Sequence, residues 1–173
     1  DLYLVSRHGG GRVRLETGVS LNISPSFSPD GKDIAFVGSV GGNPDIYLIG
    51  ADGKNLRRLT TANTIESTPS WSPTGRQIAF TSSRSGSPQI FVMDANGANV
   101  RRLARSGTTD SAPAWSPDGR QIVFVREVGG VEALHLMIAD GSGVHGRTDP
   151  PQDEELAARS HDGHRIRHAR AQR

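Results

Sequence analysis

The chain contains no cysteine, so neither a disulfide nor thiolate chemistry can hold it or work in it. Aromatic residues make up only 5% and apolar residues only 34% of the 173 positions, little for a thick-cored α/β enzyme and enough for a thin-layered β protein. No run approaches the roughly 18 consecutive apolar residues that mark a membrane helix. Lysine is almost missing: Lys32 and Lys54 are the only two among 20 basic residues. The net charge of +2 is too small to argue nucleic-acid binding. The sequence has no Gly-x-Ser-x-Gly elbow, no His-Glu-x-x-His and no Gly-x4-Gly-Lys phosphate loop, so it carries none of the common hydrolase or nucleotide signatures. Gly9-Gly10-Gly11 has no helix behind it to receive a phosphate.

What is present is a tandem repeat. Pro25-Ser26-Phe27-Ser28-Pro29-Asp30-Gly31 recurs as Pro69-Ser70-Trp71-Ser72-Pro73-Thr74-Gly75 and as Pro113-Ala114-Trp115-Ser116-Pro117-Asp118-Gly119, each 44 residues on. A worn fourth copy stands at Ala157-Ala158-Arg159-Ser160-His161-Asp162-Gly163. Ile34, Ile78, Ile122 and Ile166 keep the same register, as do Phe36, Phe80 and Phe124.

One unit reads as four short strands. In the copy from 69 to 103, an aromatic-bearing strand leads through Ser72-Pro73-Thr74-Gly75, where Pro presets φ and Gly ends the turn. Residues 77–83 alternate, with Ile78 and Phe80 on one face. Residues 89–94 form a third strand, Asn96-Gly97 a tight turn, and 100–103 a fourth strand. Four antiparallel strands per 44 residues is one blade, so the fold class is an all-β propeller. The blades span 25–60, 69–104 and 113–148 within a single domain over 1–173. A closing blade would join 157–170 to 2–16, since pairing the two ends removes open edges. Taken literally, this predicts a ring of about four blades. Two open half-rings of a homodimer would make a larger one.

The run Pro-x-Trp-Ser-Pro-x-Gly-x-x-Ile-x-Phe over 69–80, with Ile-x-x-x-Asp-x-x-Gly over 90–97 and Arg-Arg-Leu over 101–103, resembles the TolB-type β-propeller repeat, which is WD-like in blade plan. The copies at 25–59 and 113–141 carry it nearly as well. The resemblance implies a non-catalytic scaffold that binds a protein or peptide partner over its loop face and channel mouth, in a periplasmic or other extracytoplasmic bacterial setting. The same repeat is similar to that of the gating propellers of prolyl-oligopeptidase-like and tricorn-like serine peptidases, which is the alternative function. It also implies that the Pro-x-Trp strand is innermost and lines a channel.

Candidate site residues follow from that placement. Asn22, Glu66, Asp110 and Glu154 are equivalent positions just before the inner strands. Around an axis they would bring carboxylate and amide oxygens to one mouth, a set suited to Ca²⁺ or to a basic segment of a partner. Capping of the adjoining turn is the plainer role for them. No other cofactor is implied. Glu66 and Asp110, with their neighbours Ser67 and Ser111, are the expected partner-binding residues, on loops at 17–24, 62–68 and 105–112. Ser26, Ser70, Ala114 and Ala158 are small because strands crowd at the axis. Phe27, Trp71 and Trp115 are expected between blades. Arg57-Arg58 and Arg101-Arg102 guard outer edges against aggregation. His161, His164 and His168 read as part of a basic tail rather than a zinc site.

Overall fold

The computed structural model describes residues 1–146. Among these there is no helix. The strands are β1 (Leu2–Val5), β2 (Arg12–Leu15), β3 (Leu21–Phe27), β4 (Asp33–Ser39), β5 (Asp45–Gly50), β6 (Arg57–Arg58), β7 (Glu66–Trp71), β8 (Gln77–Ser82), β9 (Gln89–Asp94), β10 (Arg101–Arg102), β11 (Thr109–Trp115), β12 (Gln121–Val128), β13 (Val131–Ile138) and β14 (His145–Gly146). They form three four-stranded antiparallel meanders, β3–β6, β7–β10 and β11–β14, preceded by the two-stranded β1–β2. Three blades and the outer half of another are therefore present. The closing strands expected over 157–170, together with Glu154, the three C-terminal histidines and Ala158, lie outside the described residues.

The repeated Ser-Pro-Asp-Gly motif builds the turn between the first two strands of each blade. Ser28 Oγ donates to Asp30 Oδ1 at 2.7 Å and accepts the Asp33 N–H at 2.9 Å, while the Lys32 N–H reaches Asp30 Oδ1 at 3.2 Å. The serine thus closes the turn from both sides. Ser116 repeats this with Asp118 and Gln121, and Ser72 with Thr74 and Gln77. Gly31, Gly75 and Gly119 sit at φ of 72°, 69° and 71°, where a side chain is strained.

The inner strand begins earlier than the sequence suggests. β3, β7 and β11 start three or more residues before the proline of the motif, and each breaks register around it, between Ile23 and Ser26, Ser67 and Ser70, and Ser111 and Ala114. Proline has no N–H to give the ladder, so the strand bulges there. The residue before each proline takes a left-handed φ: 52° at Ser24, 48° at Thr68 and 51° at Ala112.

The core lies between blades. Ile34 and Phe36 face β1–β2, packing with Leu2, Leu15, Tyr47 and Ile49. Ala35 and Val37, on the other side of the same strand, join Ile46, Leu48, Trp71, Ile78, Phe80, Phe91 and Met93. Ala79, Ile90 and Val92 then meet Ile122, Phe124 and Met137 of the third blade. Both faces of β4 and β8 are buried, not only the Ile78–Phe80 face that the alternation indicates, because each of these two blades has strands of a neighbour on either side. Close approach of the blades has a local requirement at Gly97: a Cβ there would sit 2.8 Å from the Leu59 carbonyl oxygen. Trp71 is buried in this scheme and Trp115 packs against its own junction, but Phe27 is 53% exposed. The strands that would cover Phe27 belong to the blade of which only β1–β2 is described.

Candidate functional site

Asn22, Glu66 and Asp110 share one end of the blades, where the inner strands start. Their surroundings differ from a cation site. Asn22 is tied into its own loop: Thr17 Oγ1 donates to Asn22 Oδ1 at 2.6 Å and Asn22 Nδ2 donates to the Val19 carbonyl at 2.9 Å. Glu66 is fully buried. Its Oε1 accepts from Thr64 Oγ1 at 2.7 Å and Ser82 Oγ at 3.1 Å, and pairs with Arg84 at 3.2 Å. Arg84 in turn donates from Nε to Ser82 and lies over the rings of Phe80 and Phe91.

Asp110 is also fully buried and is held at both oxygens by one guanidinium, Arg126 Nε at 2.7 Å and Nη2 at 2.9 Å. Ser106 Oγ adds a bond at 2.9 Å. The hydrogen bonds to Asp110 push the Arg126 pKa up, against the opposing effect of burial. Ser106 Oγ also lies 3.1 Å from Gln89 Oε1, a second acceptor within reach of its single proton, and Arg102 Nη2 donates to the same oxygen at 2.8 Å. A polar chain therefore runs Arg102–Gln89–Ser106–Asp110–Arg126, from the outer strand of the second blade to the second strand of the third. One blade earlier, Arg58 and Thr60 hold the buried Asp45.

Of the expected ring of oxygen ligands at the channel mouth, Glu154 lies outside the described residues and Glu66 and Asp110 are engaged within their own blades. The charges of Glu66 and Asp110 are already matched by arginines inside their own blades, so a divalent ion at either would meet a guanidinium. Among the described residues no three His, Asp or Glu side chains are grouped closely enough to hold a metal ion. Glu66 and Asp110, the expected partner-binding acids, are both fully buried. Ser67 and Ser111 are half-buried in strand pairs, opposite Thr81 and Val125. The expected binding loops at 17–24, 62–68 and 105–112 end in strand.

The acid and its arginine are matched in length. Asp110 stands directly opposite Arg126 in the ladder. Glu66 stands opposite Ser82 and uses its extra methylene to reach Arg84, two residues on. The sequence pattern gave no notice of the arginines, because Arg84 and Arg126 occupy different positions of the repeat. Arg58 and Arg102, expected as edge guards, stand on the outer strands and also reach in to Asp45 and Gln89.

The same end also exposes aliphatic side chains. Val40, Ile65, Val128 and Val131 are all exposed, and they stand where inner strands begin or where second strands turn into third strands. The opposite end carries the tight polar turns at Ser28–Gly31, 72–75 and 116–119.

Stacked antiparallel meanders joined by interblade cores define a β-propeller. The TolB β-propeller domain family matches residues 2–171, and the chain belongs to that family. A putative TolB from Agrobacterium tumefaciens is 32% identical with a TM-score of 0.78 over 83% of this chain, and TolB from Acinetobacter baumannii is 31% identical with a TM-score of 0.73 over 83%. The chain spans 55% and 36% of the lengths of those two structures. Puromycin hydrolase shares the fold at 16% identity and a TM-score of 0.66. No curated protein matches the sequence.

Proposed function

We propose that this chain is a non-catalytic scaffold that binds a protein or peptide partner on the loop face carrying Val40, Ile65, Val128 and Val131. The observation behind the reading is the contrast within that face. The acids at the starts of the inner strands, Glu66 and Asp110, are folded inward into arginine pairs, while aliphatic side chains from each blade stand out into solvent, flanked on the third blade by the exposed Glu127 and Glu132. Short turns with exposed apolar tips, anchored between paired strands, suit capture of an extended partner. A periplasmic or similar extracytoplasmic setting accompanies the family resemblance. The peptidase-gate alternative rests on a likeness of fold alone.

The test is selection of binding peptides from a random display library, followed by calorimetry on the winners. Ile65→Asp combined with Val131→Asp should weaken binding about tenfold or more, since each lost apolar anchor is worth on the order of 1 kcal/mol or more. Asn96→Ala, at the opposite end, should leave it unchanged. Binding that ignores the first variant, or is lost equally in the second, defeats the assignment.

A further inference from the structure

Among the described residues the array has two open ends, and each end offers what the other lacks. In the first junction, Ile46 and Leu48 of β5 are buried in a cluster with Phe91 and Met93 of β9. The 44-residue period makes Leu134 and Leu136 of β13 the counterparts of Ile46 and Leu48. Leu134 is 50% exposed, whereas Ile46 and Ile90 are fully buried. The counterparts of Phe91 and Met93 are Tyr3 and Val5 of β1, exposed at 46% and 63%. Among the described residues, β1 and β2 make no contact with any strand from β11 to β14.

Charge distinguishes the two faces in the same sense. Glu127 and Glu132 stand directly opposite each other in the β12–β13 pair, and both are exposed. The earlier blades have Ser39 and Pro44, or Ser83 and Pro88, at those positions. Directly opposed like charges destabilise a sheet, and a cation brought between them relieves the cost. Strand alternation puts Glu132 on the side of Leu134 and Leu136. At the other end, Arg12 and Arg14 pair across from Val5 and Tyr3, and Arg12 lies 5.3 Å from the Tyr3 ring centre. One face is aliphatic and acidic; the other is aromatic and carries Arg12, unpaired among the described residues, while Arg14 is paired with Asp1 and Glu16.

We propose that a second copy of this chain docks head to tail, placing the β1–β2 hairpin of one copy on the β12–β13 face of the next in the blade-to-blade register. The contact is heterologous, so it closes into a ring or grows as a filament according to the rotation it imposes. It is independent of the loop-face function proposed above.

The test uses the full chain in sedimentation velocity from micromolar to hundreds of micromolar, at low and high salt. The expected species is heavier than 18.5 kDa and dissociates as salt rises. Leu134→Glu and Tyr3→Glu should each be monomeric alone, because every contact then includes a spoiled face. Mixed, they should form a 1:1 complex of about twice 18.5 kDa, since the mixture retains one intact face of each kind. That complementation also proves both variants folded. If either fails to fold, Glu132→Arg mixed with Arg12→Glu repeats the design with exposed residues only. A wild-type monomer at all concentrations, as when the chain's own residues 157–170 cover the ends, overturns the proposal. So does association of either variant alone, or a folded pair that does not complement.

Discussion

Replacing Asp110 with Ala is the sharpest perturbation the structure offers. The carboxylate is fully buried and its partner Arg126 is only 16% exposed, so removing the acid strands a guanidinium in a nearly dry site. Loss of one member of such a pair costs about 3–5 kcal/mol. With a urea slope near 2 kcal/mol/M, the unfolding midpoint should fall by about 1.5–2.5 M. Removing both charges is the informative control. Asp110→Ala with Arg126→Leu should recover more than half of the loss, because a buried ion pair and an apolar pair of similar volume are close in stability. The assay is equilibrium urea unfolding followed by tryptophan fluorescence, with Trp71 and Trp115 as reporters. Millimolar Ca²⁺ should leave the melting temperature of the parent protein unchanged. A cost under about 1 kcal/mol for Asp110→Ala would refute the buried-pair reasoning. A Ca²⁺-dependent rise in melting temperature that vanishes in Asp110→Ala would restore the carboxylates as ligands.

Two further outcomes are expected. Trp71→Ala should cost about 3–5 kcal/mol in urea unfolding, while Phe27→Ala should cost under about 1 kcal/mol, since Phe27 is half exposed. Equal costs would show that Phe27 is covered in solution. Acid stability should depend on the turns. The Asp30 and Asp118 carboxyls are held below their ordinary value of 3.8, first by the Ser28 and Ser116 hydroxyls and then by the Lys32 and Arg120 N–H groups. A lowered carboxyl favours the native state above the ordinary value and gives up that contribution as pH falls through the folded value. Ser28→Ala with Ser116→Ala should therefore flatten the loss of stability below about pH 4, read from melting temperature against pH. An unchanged acid limb would show that the turns do not contribute.

The blades and their turns were legible because their chemistry is local. Ser28, Asp30 and Gly31 act on one another within four residues, so the motif is sufficient to identify the turn. The alignment of Asn22, Glu66 and Asp110 was legible too, since a 44-residue period maps directly onto the sheet. Their function at that position was not. It depends on Arg84 and Arg126, which stand where other blades have Val40 and Val128, or Gly38 and Ser82. A repeat pattern averages over such differences and hides them. The strand starts at Leu21, Glu66 and Thr109 were obscured by the proline that follows, which reads as a beginning and is a bulge. The exposure of Phe27 is set by a neighbouring blade, which no local pattern reports.

The matched lengths of acid and arginine bear on how near-copies avoid one another during folding. Similar repeats invite a first strand to pair with the wrong second strand. Were β11 to pair with β8, Asp110 would face Ser82, one methylene short of the reach that Glu66 needs for Arg84. Were β3 to pair with β12, Arg126 would find the neutral Asn22 and no counterion. Each such error would bury a charge alone, at a cost comparable to much of the stability of a domain. The charges inside the blades thus act as a sorting code, by which one repeated sequence assembles in a single order.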